Sequence, residues 1–238
     1  MTDPTRFART YRWLDGLQGL WHPGRRAFRR ELLRILDRAA REWPSADYGS
    51  GYLYQSFPRL GLRGFRQTDT RVAQMDLGAS LAGRSVIEIG CNTGFLSLSL
   101  SPGTRRYLAF DNNPFLMDIA RLAQKELGDG TVEFRTNSLE DLQTEERFDV
   151  ALSFANHSTW DGNMSLSLDA YFARLQGLLA PGGTLFFESH HPTLEDAAAL
   201  AGTTSVMERR FRIDGSRVLS RGSPWDTGRT FIRATALP

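Results

Sequence analysis

The stretch VIEIGCNTG at residues 86–94 decides the fold, because a short apolar run ends there on a glycine-bearing turn. A second apolar run, YLAFDNN at 107–113, reaches an acid at Asp111, about 20 positions after Glu88. In open parallel sheets, ligands bind outside the carboxyl ends of the strands, where an acid can accept both hydroxyls of a ribose. The two runs together therefore predict a site for a nucleotide-like ligand.

Strand-like and helix-like segments alternate from residue 85 onward, which predicts an α/β fold with a mostly parallel sheet covered on both faces. The predicted strands are 85–89, 106–111, 131–135, 148–154 and 183–189, and the helices between them are 94–100, 114–127 and 166–179. A further helix is expected at 195–202. Two or three closing strands, at least partly antiparallel, are expected at 207–213, 216–220 and 229–237.

The first 67 residues form a separate unit in this interpretation, a helical and aromatic lid on an α/β domain at 68–238. Residues 1–24 suggest a short helix with turns, and apolar residues at helical spacing predict a helix over 25–43 that Pro44 ends. Its other face is rich in arginine. A solvated helix face is the favoured interpretation of that arginine face, and an RNA-facing surface is the alternative.

Composition narrows the functional classes. The 238 residues carry a net charge of +2, too mild to require a nucleic-acid partner. Cys91 is the only cysteine, which rules out an intrachain disulfide and a cysteine-based zinc site. No apolar run reaches the ~20 residues of a membrane span, and the first residues lack the pattern of a secretory signal. We therefore expect a cytoplasmic protein with no membrane contact.

The motifs resemble those of a known family. EIGCNTG at 88–94 is similar to the first motif, E/D-x-G-x-G-x-G, of the class I S-adenosylmethionine-dependent methyltransferases, and AFDNN at 109–113 resembles the second. FDVALSF at 148–154 and LLAPGGTLFFES at 178–189 resemble the fourth strand and the turn into the fifth. Asn92 replaces the middle glycine, but asparagine tolerates unusual backbone angles. The similarity covers about residues 70 to 190. A weaker similarity points to the branch with tRNA wobble-uridine carboxymethyl-transferring enzymes and sugar and natural-product methyltransferases.

This resemblance implies a three-layer α/β/α sandwich whose seven-stranded sheet ends in an antiparallel strand, with S-adenosylmethionine as cofactor. The turn at 90–94 would wrap the methionine part, Asp111 would hold the ribose, and Arg71 would pair with the carboxylate. The residues expected to contact the cofactor are Arg71, Glu88, Gly90, Cys91, Asn92, Gly94, Asp111, Asn112, Asn113, Ser138, Leu139 and Phe154.

Methyl transfer to a hydroxyl needs an acceptor placed in line and a base that removes its proton. His157 follows the fourth strand and is the first candidate for that base. His190 and His191, at the end of the fifth strand, are the next candidates, while a structural role is the alternative for all three histidines. Glu188 and these histidines have metal-ligand chemistry, but a histidine pair before a proline needs no metal, so none is expected.

The predicted function is transfer of a methyl group to an oxygen or nitrogen of a small molecule, such as a sugar or secondary metabolite. Methylation of tRNA or another RNA is the alternative. An NAD-dependent oxidoreductase is disfavoured, because Asn92 and Leu96 stand where its motif needs glycines. A non-catalytic module that binds the cofactor is a further possibility. Neither the acceptor nor the oligomeric state can be derived from the sequence.

Overall fold

A computed structural model of the chain describes residues 4–21, 23–43, 51–157, 165–189, 197–219 and 228–238. Within those ranges, none of the helices combines the length and apolarity that a membrane span requires. The strands are β1 (Ser85–Ile89), β2 (Arg106–Asp111), β3 (Val132–Thr136), β4 (Phe148–Phe154), β5 (Leu179–Glu188), β6 (Phe211–Leu219) and β7 (Arg229–Ala236).

The strands form one seven-stranded sheet in the order β3-β2-β1-β4-β5-β7-β6. Strands β1 to β5 run parallel, whereas β7 is antiparallel to both β5 and β6. The predicted mostly parallel sheet with an antiparallel last strand is thus confirmed. Because the strand order reverses between β1 and β4, the carboxyl ends of these two strands lie side by side at the switch point.

The helices cover both faces of the sheet and complete the predicted three-layer sandwich. They are α1 (Pro4–Trp21), α2 (Arg26–Glu42), α3 (Thr68–Met75), α4 (Gly78–Leu81), α5 (Phe95–Leu100), α6 (Pro114–Leu127), α7 (Leu168–Leu178) and α8 (Ala197–Met207). One apolar core lies between the sheet and helices α2, α3, α5 and α6. The other core lies between the opposite face and helices α7 and α8.

Two local expectations were wrong. Residues 4–21 form one continuous helix rather than a short helix with turns, because a helical glycine costs only about 1 kcal/mol and tertiary packing can outweigh it. Met207 ends α8 instead of beginning a strand, and it is buried in the core. The closing strands are two, β6 and β7, within the expected two or three, because a bulge between Ile213 and Gly215 lets the segments at 207–213 and 216–220 join in β6.

Helix α2 has the predicted two-sided character. Phe28, Leu32 and Ile35 are buried, as their helical spacing indicates. On the exposed side, Arg34 contacts Glu31 and Arg38 contacts Glu42, so acidic neighbours offset part of the arginine charge.

The aromatic segment before α3 packs directly onto the sheet domain. The rings of Phe57 and Phe95 stack with centroids 4.8 Å apart, and both side chains are buried. Ser56 Oγ accepts a hydrogen bond from Thr68 N (3.0 Å), so the start of α3 is capped from this segment. The domain boundary after residue 67 stays a prediction, since the two units share one core.

We expect the substitution Gly94→Ala to destabilise the fold by about 2–4 kcal/mol. Gly94 has φ +69°, and an added Cβ would lie 2.6 Å from the Phe134 ring and 2.8 Å from the Ala120 Cβ. The matched control is Gly177→Ala in α7, where an added Cβ meets nothing within 4 Å. That control should stabilise by about 0.5–1 kcal/mol. Urea unfolding of both variants measures the difference, and equal stabilities would contradict this account.

Candidate cofactor and acceptor site

The turn after β1 adopts three left-handed backbone conformations in five residues. Gly90 has φ +66°, Asn92 φ +54° and Gly94 φ +69°. Asparagine is among the non-glycine residues that enter this region most readily, so the replacement of the middle glycine leaves the turn intact. The backbone N–H of Asn92 donates to Asp111 Oδ2 over 2.9 Å, which ties the turn to the end of β2.

Asp111 joins the two motifs that the sequence analysis singled out. Besides the bond from Asn92, its Oδ1 accepts the backbone N–H of Asn113 over 3.0 Å. A carboxylate has about four acceptor positions, so it can serve a ribose as well as the backbone. The side chain is half-buried at the carboxyl edge of the sheet, in the position that the sequence predicted.

Glu88 is buried beneath the turn and holds the next helix in place. Its Oε2 accepts hydrogen bonds from Ser97 Oγ and Tyr107 OH, each 2.7 Å long. Burial raises the pKa of Glu88, although these two hydrogen bonds favour the charged form. Through these bonds Glu88 braces the turn and the start of α5, whereas its contact with the cofactor stays a prediction.

Cys91 is a packed side chain of the turn. It is fully buried, with its sulfur 3.9 Å from the sulfur of Met117. Burial, reinforced by the charges of Asp111 and Glu88, raises the pKa of the Cys91 thiol well above its usual value. The side chain therefore stays a thiol at neutral pH, which argues against a nucleophilic role.

Asn156 supports the turn from the neighbouring strand, and the sequence analysis did not identify it. Its amide donates to the carbonyl of Ile89, and its Oδ1 accepts from Ser153 Oγ (2.9 Å) and Tyr171 OH (2.5 Å). An added Cβ on Gly90 would lie 2.8 Å from Asn156 Nδ2, so the glycine makes room for this amide. The sequence contained one signal for Asn156: it is a polar residue just after an apolar strand, at the edge of the sheet where ligands bind.

His157 lies two residues beyond Ala155, which takes the unusual φ of +57° at the end of the β4 segment. The imidazole is 8% exposed and packs against the Phe187 ring (centroids 4.8 Å apart) and the Tyr171 ring (6.4 Å). His190 and His191 lie outside the described residues, so the metal set considered with Glu188 is not tested either.

Local partners within the protein are seen for three of the predicted cofactor contacts, Asn113, Ser138 and Leu139. Asn113 caps α6, because its Oδ1 accepts from Phe115 N (3.0 Å) and Leu116 N (3.4 Å). Ser138 exchanges hydrogen bonds with Asp141, and Leu139 is buried in the core on the α7 side. Asn112, which directly precedes Asn113 in the chain, is half-buried. Contact of these residues with a cofactor stays a prediction.

The side chain of Arg71, from helix α3, reaches the carboxyl end of β5 and pairs there with a carboxylate of the protein. Its guanidinium donates to Glu188 Oε2 over 2.6 Å and lies 5.7 Å from the centroid of the Phe154 ring. Phe154 in turn stacks on Phe231, with centroids 6.1 Å apart. The sequence did not reveal Glu188 as the partner, since the two residues are far apart in the chain.

Comparisons with known proteins agree with this geometry. Residues 86–183 match a family described as a methyltransferase domain. The chain is 31% identical over 127 residues to a ubiquinone biosynthesis O-methyltransferase from Xanthomonas euvesicatoria pv. vesicatoria, covering 52% of this chain and 50% of that protein. It is 30% identical over 123 residues to the protein of the same name from Pseudomonas syringae pv. tomato, covering 50% of each.

The fold is similar to that of the N-methyltransferase NodS from Bradyrhizobium japonicum WM9, solved in complex with S-adenosyl-L-homocysteine. The TM-score is 0.59 at 18% identity, over 88% of this chain and 98% of NodS. The sheet order and the turn at its switch point thus define a class I, Rossmann-like methyltransferase fold. The match of residues 86–183 to a methyltransferase domain covers less than half of the chain and agrees with this fold. It spans about half the length of the curated relatives it matches.

The residues at the switch point fit S-adenosylmethionine. The turn has the left-handed backbone that allows close approach of a ligand, and the Asp111 carboxylate stands beside it. Asp111 would hold the ribose hydroxyls, and the turn at 90–94 would hold the methionine part.

The thiol of Cys91 should react slowly with a disulfide reagent such as DTNB at pH 8 while the protein is folded. Because its pKa is raised, the thiolate fraction at that pH is smaller than in a free thiol, and burial blocks access as well. After unfolding in urea, one thiol per chain should react rapidly. Equal rates in the folded and unfolded protein would show that Cys91 is accessible and ionised.

Proposed function

We propose that the protein is a methyltransferase that uses S-adenosylmethionine to methylate an oxygen or nitrogen of a small molecule. The observation that carries the proposal is the pair of hydrogen bonds through which Asp111 holds the turn at 90–94 against the end of β2. That arrangement puts an acid and an open turn together at the switch point of a parallel sheet, where nucleotide-like ligands bind.

The bound cofactor supplies a methyl group that is electrophilic already, because it is attached to a sulfonium. The protein has to bind, orient and shield the two reactants, which is catalysis by proximity. In this proposal Asp111 fixes the ribose, and Asn156 keeps the turn in shape through Ile89. His157, next to Asn156 at the end of β4, takes the proton of the acceptor.

A small acceptor is favoured over RNA by the described part of helix α2. Two of its exposed arginines pair with acids of the same helix, Arg34 with Glu31 and Arg38 with Glu42, and Asp37 of α2 accepts Arg12 of α1. These pairs support the interpretation of a solvated helix face. The names of the matched relatives refer to O-methylation in ubiquinone biosynthesis, which supports oxygen as the methylated atom.

Asp111→Asn should weaken the binding of S-adenosylhomocysteine about 10- to 100-fold, because one charged acceptor of the ribose hydroxyls is lost. Calorimetry at pH 7.5 measures the dissociation constant. Asp118→Asn on the exposed side of α6 is the matched control, and it should bind like the wild type. An Asp111→Asn affinity within about twofold of the wild type would refute the ribose role.

His157→Gln should lower the methylation rate about 100-fold or more while the affinity for S-adenosylhomocysteine stays within about twofold. The assay follows labelled methyl transfer from S-adenosylmethionine to a panel of phenols, catechols and amines. The urea midpoint of the variant shows whether the fold is kept, since His157 also packs on Phe187. An unchanged rate in a folded variant would remove His157 as the base.

A further inference from the structure

Three buried arginines meet a single carboxylate at the carboxyl end of β5. Glu188 Oε1 accepts from Arg66 (3.1 Å) and Arg229 (3.2 Å), and its Oε2 accepts from Arg71 (2.6 Å). All four side chains are buried, with relative exposures of 9% or less. They come from three parts of the chain: the aromatic segment before α3 with α3 itself, β5, and β7.

The charges of this cluster do not balance. Among the described residues, the three guanidiniums form ion pairs with one carboxylate, so this part of the structure carries two buried positive charges in excess. Burying unpaired charge is costly, so a protein retains such an excess where something anionic completes it. In addition, the Nε atoms of Arg71 and Arg229 are buried and have no hydrogen-bond partner within the described ranges.

The electrostatics of Tyr54 show the same excess. Burial alone raises the pKa of the Tyr54 phenol, but the charges of Arg66, Arg229 and Arg71 outweigh it, so the pKa is lowered overall. A lowered pKa means that the ionised form of the phenol is stabilised relative to a free tyrosine, which indicates a positive potential around Tyr54. The potential would favour any other anion that enters this space.

The cluster lies on the acceptor side of the switch point. In the sheet order, Asp111 on β2 and Glu188 on β5 are separated by β1 and β4, which is a distance of about 14 Å at the usual strand spacing. Glu188 pairs in register with Phe154, and Phe154 stands three residues before His157. The arginines therefore lie beside the end of the strand that leads to the proposed base, and they are remote from the proposed ribose site.

We propose that Arg66 and Arg229, together with Arg71, bind an acidic group of the methyl acceptor, a carboxylate or a phosphate. Guanidinium groups pair with both through two parallel hydrogen bonds, and Glu188 keeps them oriented while the site is open. This inference rests on the proposed function and adds the class of substrate: the acceptor is an acid, and its methylated atom lies within reach of His157.

Calorimetry on the full chain saturated with S-adenosylhomocysteine tests the inference. The probes are benzoate, phenyl phosphate and the neutral benzyl alcohol. At least one acid should bind about tenfold or more tightly than the alcohol, and the tighter acid tells a carboxylate site from a phosphate site. Saturation with the cofactor product keeps the cofactor's own carboxylate from being the anion that is measured.

Arg229→Gln should weaken binding of the preferred acid about tenfold and leave the affinity for S-adenosylhomocysteine unchanged. Arg106→Gln is the matched control: this arginine pairs with Glu133 and Glu146 at the opposite end of β2 and should bind acids like the wild type. Glu188→Gln removes the competing carboxylate, so the preferred acid should raise its melting temperature more than it raises that of the wild type. The melting temperature of Glu188→Gln tests the inference even if Arg229→Gln does not fold.

Two results would overturn the inference alone: acids that bind no better than benzyl alcohol, or acids that bind only when S-adenosylhomocysteine is absent. The second result would mean that the cofactor's carboxylate occupies the arginines. If S-adenosylhomocysteine itself does not bind to the wild type, the proposed function fails and this inference fails with it.

Discussion

The hydrogen bond from the backbone of Asn92 to Asp111 is the interaction on which the site depends. It connects the turn after β1 to the end of β2 and so gives the turn a fixed shape before any ligand arrives. A turn with three left-handed residues is not held by its own hydrogen bonds alone. Glu88 from below and Asn156 from the side complete the support, and both are buried. The result is a preformed site, which saves the entropy of ordering the turn on binding.

Much of the fold was predictable because the sheet is parallel and buried on both faces. Its inner strands contain continuous apolar runs, as in 107–110, and the acids at the strand ends mark the edge where a ligand binds. The glycine-bearing turn and Asp111 were found for the same reason. Local pattern was less informative where tertiary packing decides, as in α1, where the glycines do not interrupt the helix.

The parts of the site that sequence reasoning missed depend on contacts between distant segments. Asn156 was inconspicuous because an asparagine after a strand has many possible partners, and only the fold places it against Ile89 and Tyr171. The partner of Arg71 was missed for the same reason: Glu188 is more than a hundred positions away. In a chain where nearly all basic residues are arginine, no single one of them stands out. Burial sets Arg66, Arg71 and Arg229 apart from most of the other arginines, and burial of a charged residue is decided by the fold.

The close fit of Gly90 and the Asn156 amide has an evolutionary consequence. A side chain at position 90 is incompatible with an asparagine that already touches the glycine, yet a smaller residue at 156 would give up the bond to Ile89. Neither change is tolerable by itself, so the two positions are expected to show strong epistasis and to change together or not at all. Lineages that abandon this glycine would have to find another way of bracing β1 against β4.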